Sequence, residues 1–234
     1  NDAARPPRYL VAGSRPWNRT VFDEALSPLP GAWHFAASPE ALSLERVRAL
    51  DPRYIFFLHW SWKVPQALVE AYECVCFHMT DVPYGRGGSP LQNLIARGHR
   101  QTKLSALRMS EAFDAGPVYL KADLCLEGGA EEVYLRSSRL SAELIARIVA
   151  ERPEPVPQRG EPVVFKRRTP DQSRIGAAPT LRALHDFLRM LDAEGYPRAY
   201  LDHGGFRYTF SRAALYDGRV QADVTITPLK EDEA

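Results

Sequence analysis

Cysteine is scarce in this chain: only Cys74, Cys76 and Cys125 occur. An odd number with no secretory signal argues against a disulfide framework. The Cys74-x-Cys76 pair has no second Cys or His pair at zinc spacing, so no metal is expected. No run of 18 apolar residues is present, which excludes a membrane-spanning helix. The first residues carry no apolar signal core, and the cytoplasm is the expected compartment. Charge of one sign is also lacking: 30 lysines and arginines face 29 aspartates and glutamates, a net charge of +1. That balance gives no broad attraction to nucleic acid or to an anionic membrane. Neither G-x-G-x-x-G nor G-x-x-x-x-G-K-[ST] occurs, so the familiar phosphate-cradling loops are missing. Internal repeats and low-complexity tracts are missing too.

What remains is an ordinary globular composition, 45% hydrophobic and 25% charged over 234 residues, enough to bury a core. Apolar runs at 8–13, 32–37, 54–60 and 73–78 read as strands. Between them lie a helix ending near Leu26 with Asn18 or Thr20 as its cap, a helix from Ser38-Pro39 to Leu50, and a helix over 64–72 entered through Pro65. "YIFFLHW" at 54–60 is apolar throughout, as in a strand buried on both faces. This β-α alternation predicts an α/β fold: a Rossmann-like, mixed but mostly parallel sheet with helices on both faces. Two extended segments follow at 102–110 and 117–126, the second a candidate antiparallel strand, and then a long helix from Ala130 to Glu151. The expected division is a catalytic domain over 1–151, a proline-rich linker over 152–163, and a small C-terminal helix and β appendage over 164–234. That appendage holds a helix over 181–195 with Gly195 as its C-terminal glycine, then strands near 198–203, 206–215 and 220–227.

The stretch "CFHMTDVPYGRGGSPLQNLI" (76–95) carries the chemistry. His78 ends a strand, and open α/β sheets bind ligands beyond the carboxyl ends of their strands. The loop 79–88 crosses the same rim and enters a helix through Ser89 as cap and Pro90 at the first helical position. Gly85, Gly87 and Gly88 allow close backbone approach or positive φ. A strand-end histidine serves equally as a structural group, and the loop as a tight connection. A second feature shifts the balance: "SEAFDAGPVYL" (110–120) sets Asp114 in a loop. A carboxylate beside a histidine fixes its tautomer and raises its basicity.

The series His78-x-Thr80-x-x-Pro83-x-x-Arg86-Gly87-x-x-Pro90, followed by Asp114-Ala115-Gly116-Pro117, resembles the formyltransferases that use 10-formyltetrahydrofolate. "FKRRTPDQSRI" (165–175) and residues 185–213 resemble the C-terminal part of the nucleotide-sugar members, and the pseudaminic-acid type is the most similar branch. The resemblance implies formyl transfer from 10-formyltetrahydrofolate to the primary amine of a nucleotide-linked amino sugar. His78 would be base and acid, oriented by Asp114. The family's asparagine two residues before the histidine is Cys76 here, and a thiol is a weak donor. His59, at the end of the preceding strand, is the candidate replacement. Trp60, Trp62, Gly116 and Pro117 are expected at the pteridine, although the tryptophans also suit core packing. Arg86, Gly87, Gly88, Arg167 and Arg168 are expected at the acceptor, although the arginines also read as a solvated charge run. A homodimer remains open. The short C-terminal part and the near-neutral charge speak against a tRNA acceptor. Two other outcomes stay open: a relative acting on a non-sugar amine or hydrolysing formyl-folate, and a non-catalytic folate- or sugar-binding relative.

Overall fold

A computed structural model describes residues 5–230. In chain order the strands are β1 (Arg8–Gly13), β2 (Ala32–Ala36), β3 (Tyr54–Leu58), β4 (Glu73–His78), β5 (Tyr84–Gly87), β6 (Gln101–Arg108), β7 (Val118–Cys125), β8 (Val163–Phe165), β9 (Tyr200–His203), β10 (Phe206–Tyr216) and β11 (Arg219–Pro228). The helices are α1 (Pro16–Val21), α2 (Leu44–Leu50), α3 (Gln66–Ala71), α4 (Pro90–Ala96), α5 (Ala130–Glu151) and α6 (Leu181–Met190). Residues 5–86, 103–124 and 135–163 form one compact unit. Residues 87–102, 125–134 and 164–230 form a second, so the segments 87–102 and 125–134 group with the C-terminal third of the chain.

The first unit is built on a six-stranded sheet in the order β2-β1-β3-β4-β6-β7. β1 pairs in parallel with β2 and β3, and β3 in parallel with β4. β6 then runs antiparallel to β4, setting Cys76 opposite Leu107 and His78 opposite Ser105. The sheet is thus mixed and mostly parallel, as the sequence pattern predicts. Every residue of β3 is buried, which explains its unbroken apolar run. Leu10, Ala12, Ile55, Phe57 and Cys74 form one face and pack with Val47 of α2 and Leu68 of α3. Cys76 packs at the edge of this cluster, so the two cysteines do share a side.

In the second unit β9, β10 and β11 form a three-stranded antiparallel sheet. Arg212, with φ 49, bulges β10 between Ser211 and Ala214.

Several boundaries differ from expectation. β3 stops at Leu58 because His59 turns into the left-handed region at φ 41. α1 starts at Pro16, ahead of both expected caps, and the Asn18 carboxamide accepts from the Arg15 N–H instead. The helix expected from Ser38 is a single 3₁₀ turn over Pro39–Leu42, followed by α2, which Ser43 caps. α6 ends at Met190, short of Gly195: the Asp192 carboxylate just beyond it accepts from Arg198 and from the Arg212 N–H, which holds a turn there. Ser89 sits at the N-cap of α4 but makes no capping bond; its hydroxyl accepts from the Arg168 N–H.

Candidate active site

β4 ends on His78, whose side chain is almost fully buried. Its Nε2 lies 2.7 Å from the Gly85 carbonyl, which also accepts from the Thr80 hydroxyl at 3.1 Å. A carbonyl only accepts, so this contact makes Nε2 the protonated nitrogen. The other nitrogen, Nδ1, stands 3.5 Å from Asp114 Oδ1. The expected His–Asp pair is therefore together in space, 36 residues apart along the chain.

The geometry differs from a serine-protease-like relay, in which the carboxylate sits behind the working nitrogen. Here the Gly85 carbonyl holds the ring from behind. The carboxylate faces the other nitrogen, Nδ1.

Asp114 takes an unexpected route. Because β6 is antiparallel to β4, the chain leaves Arg108 level with Val75, not beside His78. The loop 109–117 must fold back over the sheet. The Met109 N–H bonds the Cys74 carbonyl and the Arg108 N–H bonds the Pro117 carbonyl. Gly116 makes this possible, since a Cβ there would fall 1.8 Å from the Arg108 carbonyl oxygen. Asp114 itself has φ 55, a left-handed backbone unusual for a residue with a side chain.

Under this loop lies a cavity of about 100 Å³, walled by Val64, Val69, Cys76, Leu107, Met109, Phe113, Asp114 and Gly116, with Lys63, Gln66, Ser110 and Glu111 among its polar residues. The site thus sits on a face of the sheet between β4, β6 and the start of α3. Its lining is mixed: apolar walls meet the charged side chains of Lys63, Arg108, Glu111 and Asp114. The Cys76 thiol is pushed up to about 12, by burial first and then by the Asp114 charge. It stays protonated at neutral pH.

Of the residues expected at a pteridine, Gly116 lines the cavity. Trp60 packs against the core and meets Trp62 at 4.9 Å between ring centroids, and Trp62 is 45% exposed. Pro117 is held in the pairing with Arg108. Among the residues expected at the acceptor, Arg86 directs Nε and Nη2 to Gln158 Oε1, at 3.0 and 2.8 Å. Gly87 and Gly88 do allow close approach, but to protein: an added Cβ would meet the Phe165 carbonyl at 2.4 Å and Arg167 Cβ at 2.5 Å. Arg168 is bonded to Ser89 and to the Gln172 carbonyl, while Arg167 is exposed. His59 lies edge-on to Trp17 at 6.2 Å, and its carbonyl accepts from the Ser14 hydroxyl. Desolvation of the ring first, and then the Arg15 charge, hold its pKa down to about 4. Sequence reasoning missed Val64, Val69, Leu107 and Met109 as walls. Their only signal is position, on strands and loops flanking Cys76. No group of three or more His, Cys, Asp or Glu residues suited to a metal occurs among the described residues.

A buried imidazole faces a carboxylate that also lines a small cavity on an α/β sheet. Comparison with known proteins gives this arrangement a family. A solved methionyl-tRNA formyltransferase from Clostridium thermocellum is 41% identical, with a TM-score of 0.90, covering 95% of this chain and 99% of that one. The chain belongs to the formyltransferase family. Residues 170–227 match the family model described as "Methionyl-tRNA formyltransferase, C-terminal domain". A curated methionyl-tRNA formyltransferase from Rickettsia massiliae (strain Mtu5) is 33% identical over 108 residues, 44% of this chain but 36% of that protein. The match thus spans little more than a third of that relative's length. Two more distant structures share the fold. HypX from Aquifex aeolicus in complex with tetrahydrofolic acid has a TM-score of 0.72 at 19% identity, over 88% of this chain and 37% of that one. A sugar N-formyltransferase from Shewanella sp FDAARGOS_354 has a TM-score of 0.61 at 16% identity, over 96% and 99%.

Proposed function

We propose that the protein moves a formyl group from 10-formyltetrahydrofolate to the primary amine of a small acceptor, a nucleotide-linked amino sugar of the pseudaminic-acid type, in the cytoplasm. The observation that carries this reading is the placement of His78: Nε2 on the Gly85 carbonyl, Nδ1 facing Asp114. The donor supplies the formyl carbon. His78 takes the amine proton at Nδ1, and Asp114 stabilises the imidazolium so formed. The amine nitrogen bonds to the formyl carbon as that carbon parts from the folate nitrogen, and His78 returns a proton to the leaving nitrogen. Charge that builds on the formyl oxygen needs donors. Cys76 offers only an S–H, so protonated His78 carries most of that work. Val64, Val69, Leu107 and Met109 would sandwich the pteridine.

The acceptor assignment rests on charge. A protein that holds tRNA tracks phosphates with unpaired cations. In the second unit part of the cationic surface is already paired, Arg174 and Arg207 with Asp202, Arg198 with Asp192, and Arg212 with Asp223. A second reading, with methionyl-tRNA as acceptor, is favoured by the match of residues 170–227 to the C-terminal domain model and by the names of the relatives.

One experiment separates the two. The protein is incubated with 10-formyltetrahydrofolate and, in parallel, methionyl-tRNA or UDP- and dTDP-linked amino sugars. Tetrahydrofolate release that requires the amino sugar, with a formyl mass gained by it, supports the first reading. Formylation of methionyl-tRNA alone transfers the assignment to the second. Release without any acceptor identifies a hydrolase, and binding of both ligands without turnover identifies a non-catalytic relative.

A further inference from the structure

We propose that Gln158 is the positioning residue that holds Asp114 at His78. It lies in the proline-rich segment that the sequence reads as a linker. Val156 in that segment exchanges both backbone hydrogen bonds with Val118, 2.8 Å each, so the segment lies along the start of β7. Two residues further on, Gln158 uses its whole amide. Nε2 donates to the Asp114 and Gly116 carbonyls, 2.8 Å each, and Oε1 accepts from Arg86 Nε and Nη2. Both N–H groups and both lone pairs are engaged.

These bonds close a circuit. The Asp114 carboxylate faces His78 Nδ1, His78 Nε2 holds the Gly85 carbonyl, Arg86 follows Gly85 in the chain, and Gln158 joins Arg86 back to the Asp114 backbone. The loop 110–116 arrives from the far end of an antiparallel strand, and Asp114 stands in a left-handed conformation that other contacts must maintain. Gln158 supplies two of those contacts, and it ties the carboxylate loop and the imidazole loop to one side chain. A displacement of about 1 Å at such a pair reduces turnover by about 100-fold.

The kinetic arm of the test rests on the formyl-transfer reading; the exchange arm does not. In Gln158→Ala, amide hydrogen exchange across 110–116 is expected to quicken about tenfold or more while that of Leu10–Ala12 in β1 is unchanged. Turnover of 10-formyltetrahydrofolate falls about 10- to 100-fold with KM within about threefold. In an Asp114→Ala background the same substitution costs less than about threefold, because the group it positions is gone. Gln158→Glu keeps a partner for Arg86 but offers no N–H to the two carbonyls, so it behaves like Gln158→Ala and serves as the second variant if that one folds poorly. Unchanged exchange in 110–116, or a full kinetic loss that persists without the Asp114 carboxylate, overturns the proposal. If the unmodified protein consumes no formyl donor, the formyl-transfer reading falls and the exchange result alone decides the role of Gln158.

Discussion

His59 follows β3 and His78 ends β4, the adjacent strand, yet the two surroundings differ at every point that governs proton chemistry. The His78 side chain is buried and has an oxygen on each side: a carbonyl at Nε2 and a carboxylate at Nδ1. His59 sits on left-handed backbone, presents its edge to Trp17 and has Arg15 beside it. The Arg15 guanidinium opposes an imidazolium at His59. Position at a strand end therefore does not fix a histidine's surroundings. The loops that face its two nitrogens do, one close in sequence at Gly85 and one distant at Asp114.

The strongest way to break the comparison is to remove either half of the pair. His78→Ala and Asp114→Ala should each lower 10-formyltetrahydrofolate turnover by about 1,000-fold, measured by tetrahydrofolate release, with an unchanged circular dichroism spectrum. Near-normal turnover in either variant removes the basis for the assignment. Next in size is a stability effect. Gly116→Ala pushes a methyl against the Arg108 carbonyl and should cost about 3 kcal/mol, read as a lowered calorimetric Tm. An unaltered Tm would mean that the loop does not need this close approach.

Smaller effects sharpen the contrast. Cys76→Asn replaces a weak donor by an amide and is expected to raise kcat about tenfold, while Cys76→Ala lowers it by less than about threefold. His59→Gln should change kcat by less than about threefold. Its signature is in stability instead. The folded protein resists protonating His59, whose pKa is about 4 against an ordinary 6.5, so the unfolded chain binds more protons between those values. Stability attributable to this group is present above pH 6.5 and is lost as pH falls from 6.5 toward 4. Chemical denaturation of both proteins across that window should show a shallower decline for His59→Gln. An identical slope would mean that His59 titrates normally.

The sheet was legible because buried parallel strands leave an unmistakable trace: apolar residues at every position, as in "YIFFL", punctuated by polar helix starts. The His–Asp pair is legible as two motifs, since His78 precedes and Asp114 stands in a loop with its own glycine and proline signals. Their meeting is not. That depends on β6 reversing direction and on the loop folding back, and the only local trace is Gly116, one glycine among 15. The glycines at 87 and 88 were read correctly as places of close approach, but what approaches is backbone and side chain 78 to 79 residues further along, which no local pattern encodes. Gln158 was hidden by composition, because a proline-rich, charged stretch looks the same whether it spans open solvent or lies along a strand.

The reversed strand has a consequence for how this chain tolerates change. Side chains alternate across a strand, so inserting two residues into 105–108 leaves the same set facing the cavity and passes any test of hydropathy. It would nonetheless advance the exit of the aspartate loop by about 7 Å along β4. Such a change keeps a normal-looking interior and moves the Asp114 carboxylate away from His78. Length in 105–108, more than identity, therefore sets where the Asp114 carboxylate lies.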